Sequence, residues 1–265
     1  MVEQFIPTLI KAVEVASSRI LEIYSSDFEV EIKNDNSPVT LADKLSSQIL
    51  IDYLAGFNIP IISEEEDKVA WESRKTASLL WLIDPIDGTK EFVRKNGQFC
   101  INIALIENGL PILGLIASPV ESIIMFGGPS IGAFEVPYHT DDHLNEKWKV
   151  IVKENNFPKV IMHSNDRFSG TVAKFVRNLE GIYGPIDVIR KGSALKFIDL
   201  VRGTADFYIR FAPTMEWDIA AGQAIYEAVG GEVLHIETRE ALTYNKQQLK
   251  NPYFIAKRKK LNLGK

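Results

Sequence analysis

Apolar residues recur at helical intervals from the start of the chain. Phe5, Leu9, Val13, Ala16 and Ile20 fall on one stripe, so the first element is predicted as a helix with one buried face. A second helix is predicted after Thr40, where Pro38 precedes, Thr40 is a suitable cap, and Leu45, Ile49 and Tyr53 continue a stripe. The pattern then shortens to continuous apolar runs at Pro60-Ile61-Ile62 and Leu79-Leu80-Trp81-Leu82-Ile83, which end abruptly in acid at Glu64 and Asp84. Ile101–Glu107 and Ile112–Ser118 read as strands joined by the turn Asn108-Gly109-Leu110-Pro111, and Ile123–Phe126 and Gly132–Val136 extend the same sheet. Beyond residue 150 the types alternate. A strand near Lys159–Met162 leads to a helix from Thr171 to Leu179, a strand at Asp187–Ile189 to a helix from Ser193 to Val201. A strand at Asp206–Arg210 then leads to a helix from Asp218 to Val229, closed by Gly230-Gly231. Helices and strands are interleaved without repeat, low-complexity segment or linker. The prediction is therefore an α+β fold, one domain over 1–265 built from two halves, roughly 1–150 and 151–265, that share an interface.

Composition narrows the class. The chain has 265 residues, 46% hydrophobic and 25% charged, which is ordinary globular usage with ample material for a core. The net charge of −5 excludes a general electrostatic attraction to nucleic acid or anionic membrane, so an anionic ligand needs a local source of positive charge. Cys100 is the only cysteine, which excludes an internal disulfide and suits a reducing compartment. The amino terminus carries Glu3 and Glu14 and lacks a signal peptide's apolar core, and no run approaches the roughly 18 apolar residues of a membrane span. A soluble cytoplasmic protein is expected. The basic close Lys257–Lys265 reads as a solvated tail rather than a phosphate contact.

The acids carry the chemical signal. Asp43 lies early in a predicted helix, Glu64 ends one strand, Asp84 and Asp87 follow another, and Asp218 opens a late helix. An acid at a helix start is most often a cap, and the run Ser63-Glu64-Glu65-Glu66-Asp67 alone reads as solvated surface. Asp84 and Asp87 resist that reading, because an apolar strand feeds directly into them. Carboxylates on rigid elements that converge on one point make an oxygen-rich site suited to Mg²⁺ or Mn²⁺. Pro85 turns the chain between the two acids and frees the Ile86 carbonyl as a neutral oxygen ligand. Gly88-Thr89 then offers backbone N–H groups and a hydroxyl to a bound anion.

Other phosphoryl chemistries fail on spacing. A phosphatase with an aspartyl nucleophile needs an acid where Pro85 stands, and a cysteine phosphatase needs an arginine where Ile106 stands. Gly127–Gly132 lacks the Lys-Ser/Thr of a nucleotide-triphosphate loop, and His139, His143, His163 and His235 form no H-E-x-x-H pattern. His139 and His143 sit with Asp141-Asp142 in a surface loop.

Taken in order, Pro38-Val39-Thr40-Leu41-Ala42-Asp43, Ser63-Glu64-Glu65, Asp84-Pro85-Ile86-Asp87-Gly88-Thr89 and Trp217-Asp218-Ile219-Ala220-Ala221-Gly222 resemble the inositol monophosphatase superfamily of Mg²⁺-dependent, lithium-sensitive phosphatases. The similarity covers most of the chain. Lys90-Glu91-Phe92 after the Asp-Gly-Thr, Gly192–Phe197 and Gly203–Arg210 are similar to its 3′(2′),5′-bisphosphate nucleotidase (CysQ-type) branch. The resemblance implies a layered αβαβα sandwich. It also implies Glu64, Asp84 and the Ile86 carbonyl around one Mg²⁺, and Asp84, Asp87 and Asp218 around a second, with a third, looser ion near Glu64. Two divalent ions about 3.5–4 Å apart stabilise the entering and leaving oxygens of an in-line displacement together.

In the same family pattern Asp43 and Thr89 orient and polarise the attacking water, while Gly88 and Thr89 contact the phosphate. Ser193, Lys196 and Arg210 hold the nucleotide and its second phosphate, and supply the positive charge that the net-acidic chain lacks. The branch usually has a histidine near the nucleotide where this chain has Asn165, two residues beyond His163. The implied reaction is removal of the 3′-phosphate of adenosine 3′,5′-bisphosphate, clearing a by-product of sulfate assimilation. An inositol- or sugar-phosphate phosphatase with the same metal core is the alternative enzyme. A non-catalytic nucleotide sensor is disfavoured, because it would have lost a ligand or Thr89, and all are present.

Overall fold

The apolar run at Leu79 becomes a nine-residue strand whose alternate side chains serve two different cores. Trp81 and Ile83 face one side of their sheet, and Leu80 and Leu82 face the other. In a strand buried on both faces every position is apolar, which is why the run shows no polar alternation. The computed structural model describes residues 2–32, 38–66, 69–153, 158–163 and 170–263.

In chain order the elements are α1 (Ile6–Tyr24), β1 (Val30–Ile32), β2 (Pro38–Thr40), α2 (Leu41–Ala55), β3 (Ile61–Ser63), α3 (Trp71–Arg74), β4 (Leu79–Asp87) and α4 (Thr89–Val93). A meander follows: β5 (Cys100–Glu107), β6 (Leu110–Ser118), β7 (Ile123–Gly128) and β8 (Gly132–Pro137). The chain then forms β9 (Lys159–His163), α5 (Gly170–Tyr183), β10 (Asp187–Lys191), α6 (Leu195–Arg202), β11 (Phe207–Arg210), α7 (Glu216–Glu227), β12 (Gly231–His235) and β13 (Phe254–Arg258).

These elements stack in five layers. A six-stranded sheet runs β3-β4-β5-β6-β7-β8, with β3 and β4 parallel and the rest antiparallel. Helices α1 and α2 cover one face through Leu9, Val13, Ile20, Leu50 and Leu54. Helices α6 and α7 cover the other and are shared with a five-stranded sheet, β10-β9-β11-β13-β12. Helix α5 seals that sheet's outer face through Val176 and Leu179. The order is the αβαβα sandwich that the family resemblance implies. The β5–β6 connection is a two-residue hairpin in which both Asn108 (φ 49°) and Gly109 (φ 83°) are left-handed, the geometry Asn-Gly favours.

Three local expectations are corrected. Helix α6 begins at Leu195 rather than Ser193, because Ser193 takes a left-handed φ of 48°. Helix α7 begins two residues before Asp218, which therefore sits at its third position, and ends at Glu227, leaving Gly231 to open β12. The basic close is not a solvated tail throughout. Lys257 and Arg258 are buried in β13, which pairs with both β11 and β12 inside its sheet. Their charges are met there: Lys257 pairs with Glu232, and Arg258 lies 3.5 Å from Asp206.

Candidate active site

The site grows from an irregularity at the end of β4. Antiparallel pairing with β5 holds as far as Asp84 opposite Asn102, then shifts so that Asp87 stands opposite Cys100. β4 therefore carries one residue more than β5 over that stretch, a bulge centred on Pro85-Ile86. Proline has no N–H to give the ladder, so the break falls where the sequence places Pro85. The Ile86 N–H instead donates to Asp84 Oδ1 at 3.1 Å, and Ser46 on α2 donates to the Pro85 carbonyl at 3.0 Å.

Two neighbours bring further acids to Asp84. β3 runs parallel to β4, and the Glu64 N–H donates to the Ile83 carbonyl at 3.1 Å, which places Glu64 beside Asp84. Asp218, at the third position of α7, accepts from the Met215 N–H at 2.7 Å through Oδ2. One carboxylate oxygen each of Glu64, Asp84 and Asp218 lies within 4.8 Å of the others.

Asp43 repeats this device at the start of α2. Its Oδ2 accepts from the Thr40 N–H at 2.8 Å and the Thr40 hydroxyl at 2.6 Å, and the Thr40 Oγ1 accepts from the Ala42 N–H at 3.2 Å. Its Oδ1 accepts from the Thr89 hydroxyl at 3.1 Å, and that hydroxyl also lies 3.3 Å from the Ile86 carbonyl. Both aspartates thus spend one oxygen on their helix start, and Asp43 turns the other toward the bulge at Thr89.

Asp87 lines a pocket with Asp218, Ser193, Lys196, Tyr208 and Arg210. Its Oδ2 accepts from the Ala194 N–H at 2.5 Å and from Asn102 Nδ2 at 3.2 Å. The Gly192–Leu195 turn is also held by Gln98, whose Oε1 accepts from the Gly192 N–H at 2.7 Å. Gly88 (φ 97°) turns the chain into α4, and a Cβ there would come within 2.9 Å of the Gln98 carbonyl, so only glycine fits. Lys196 is 2% exposed, donates to the Ser193 carbonyl, and lies 5.1 Å from the centre of the Tyr208 ring.

The electrostatics of the acids agree with a cation site. Burial holds the Asp84 carboxyl well above the usual carboxylate range, and Glu64, Asp87, Asp218 and Asp43 add to the rise. Asp218 is raised well above that range by burial and then by Asp87 and Glu64, and burial also raises Asp87 and Asp43. Several carboxylates this close and this dry do not ionise together unless positive charge joins them. A donor set made only of oxygen suits a hard divalent cation, so the residues fit the ion that the sequence implies. On the pocket side, burial pulls Lys196 down to about 8; Asp87 opposes that fall and Arg210 adds to it.

The structure thus brings Asp43, Glu64, Asp84, Ile86, Asp87, Gly88, Thr89, Ser193, Lys196, Arg210 and Asp218 to one region between the two sheets. Asn165 lies outside the described residues. Sequence reasoning passed over Gln98 and Asn102. Asn102 had a visible signal, an amide inside the apolar run Ile101–Ile106, since a buried polar side chain is more informative than a buried apolar one.

Comparison with known proteins places the chain in a family. The model of the inositol monophosphatase family matches residues 1–262. The 3′(2′),5′-bisphosphate nucleotidase CysQ of Escherichia coli K12 is 34% identical over 244 residues, covering 90% of this chain and 94% of that protein. The CysQ of Buchnera aphidicola from Acyrthosiphon pisum is 36% identical over 218 residues, 81% of this chain and 78% of its own. The crystal structure of CysQ from Bacteroides thetaiotaomicron, a bacterial member of the inositol monophosphatase family, superposes with a TM-score of 0.85 at 34% identity, covering 96% of this chain and 97% of that one. The chain belongs to the inositol monophosphatase family and is a phosphatase.

Proposed function

We propose that this phosphatase removes the 3′-phosphate of adenosine 3′,5′-bisphosphate, giving AMP and phosphate, with Mg²⁺ as its metal. The observation that carries the reading is the adjacency of two unlike sites that share Asp218. An acidic cluster of Glu64, Asp84 and Asp218 adjoins a pocket that Asp87 and Asp218 line together with Lys196 and Arg210. A substrate with one phosphate at the cations and another at the basic side chains matches both. The likeness to curated bisphosphate nucleotidases supports the nucleotide.

In this reading Glu64, Asp84, Asp87, Asp218 and the Ile86 carbonyl would hold two divalent ions, with a third, looser one near Glu64. Bound there, they neutralise phosphoryl charge and make water a readier nucleophile. Thr89 and Asp43 do the proton work. The Thr89 hydroxyl gives its proton toward Asp43 Oδ1, which leaves Thr89 Oγ1 able to accept one from the attacking water. Burial raises Asp43 above the ordinary carboxylate range, which makes it a better proton acceptor. Gly88 and Thr89 offer N–H groups to the phosphate, and Ser193, Lys196 and Arg210 hold the nucleotide end. Among the described residues no helix is long and apolar enough to cross a membrane.

The deciding measurement is phosphate release with Mg²⁺ from adenosine 3′,5′-bisphosphate, inositol 1-phosphate and fructose 1,6-bisphosphate in parallel. The nucleotide is expected to show the highest kcat/KM. If it is the poorest of the three, the substrate assignment fails and the inositol- or sugar-phosphate reading replaces it. Asp87→Asn is expected to abolish turnover on whichever substrate works, and undiminished activity would sink the metal assignment.

A further inference from the structure

We infer that Asn102 is a positioning residue that fixes which oxygen of Asp87 faces the metal site, and so sets the affinity of the ion that Asp87 holds. The inference rests on the metal reading of Asp87 given above. Asn102 stands on β5 directly opposite Asp84, at the last regular pair before the bulge, and is 1% exposed. Its Nδ2 donates to Asp87 Oδ2 at 3.2 Å, the same oxygen that takes the Ala194 N–H. Two donors on Oδ2 leave Oδ1 as the oxygen for a cation.

The amide cannot turn over at no cost. Its Oδ1 lies 3.6 Å from the Cys100 sulfur, whose single hydrogen also has the Ser193 Oγ in reach at 3.5 Å. A thiol is only a weak acceptor, so it cannot replace the Asp87 carboxylate as the partner of the amide N–H. A flipped amide would set its carbonyl oxygen against the Asp87 carboxylate. The Asp87 carboxylate therefore fixes which way the Asn102 amide points, and the amide N–H in turn holds Asp87 Oδ2. β5 thereby contributes to a site whose ligands lie on β4, the start of α7 and the residue after β3. Groups that orient a metal ligand are commonly worth tenfold or more in metal affinity.

The inference is tested by titrating Mn²⁺ calorimetrically, without substrate, into the full-length wild type, Asp87→Asn, Asn102→Ala and Asn102→Leu. The ion lost in Asp87→Asn identifies the site. For that ion, both Asn102 variants are expected to bind about tenfold more weakly, with activity recovered at correspondingly higher Mg²⁺. Leucine fills the amide's volume without leaving a cavity, so it answers the question if the alanine variant does not fold. Mn²⁺ affinity within twofold of wild type in a folded Asn102 variant overturns the inference and leaves the metal reading standing. If Asp87→Asn removes no bound ion, the metal assignment of Asp87 fails and takes this inference with it.

Discussion

Thr89 has one proton and two acceptors in reach, Asp43 Oδ1 at 3.1 Å and the Ile86 carbonyl at 3.3 Å. A cation at the Ile86 carbonyl would leave Asp43 as the acceptor and commit the hydroxyl to the proton relay. Thr89→Val keeps the shape and removes the relay, so kcat is expected to fall by about 10²–10⁴, while Thr89→Ser retains most of it; steady-state kinetics at saturating Mg²⁺ read both. Lys196 supplies a separate pH signature. Because burial brings it to about 8, it is charged below that value and loses its proton above it. KM for the nucleotide is therefore expected to stay level below pH 8 and rise above it, with the rise absent in Lys196→Arg; a level profile for wild type would remove Lys196 from substrate binding. At this scale the sequence shows Asp43 and Asp218 only as helix caps, and they are caps. Their second oxygens acquire a role only from β4, which lies 41 positions after the one and 134 before the other in Asp84.

Elements whose cause is local were legible, and those whose cause is distant were not. Thr40 caps α2 as its hydroxyl and the following acid predict, and Asn108-Gly109 makes its hairpin. β13 was missed because Lys257 and Arg258 look like surface residues until Glu232 and Asp206 are brought beside them by the fold. The α6–α7 contact is equally hidden in the sequence, and a single glycine tests it. Gly222 sits within α7, where alanine would ordinarily gain about 1 kcal/mol of helix propensity. A Cβ there would stand 2.2 Å from the Phe197 ring of α6, a fully buried side chain, so the ring or the helix would have to shift. Overpacking of this kind costs about 1–3 kcal/mol, so the clash outweighs the propensity. Gly222→Ala is expected to lower the denaturant midpoint, and because α7 carries Asp218, to weaken Mn²⁺ binding as well. An unchanged or higher midpoint would mean that the two helices part easily.

Over the whole molecule, the acidic cluster sets function against stability, and the sign of that opposition depends on the cation. Folding raises the Asp84 carboxyl above its unfolded value of about 3.9, so the folded state favours the protonated form. Without metal, the resulting stabilisation is complete below that value and is lost as pH rises through the folded one, because the unfolded chain releases a proton that the buried cluster holds on to. A cation that binds only the folded protein reverses the sign, adding about 2.7 kcal/mol when present at 100 times its Kd. Asp84→Asn removes the ionisable group in nearly the same shape. In EDTA the variant is therefore expected to melt higher than wild type, by a margin that widens from pH 5 to pH 8. In excess Mg²⁺ the order is expected to invert, because wild type gains the ion and the variant gains little. Thermal melts at both pH values, with and without Mg²⁺, read the two orders directly. A wild type that melts higher than Asp84→Asn in EDTA at pH 8 would mean that hydrogen bonds such as that from the Ile86 N–H outweigh the repulsion. The cluster would then be a structural feature of the fold rather than a site held ready for positive charge.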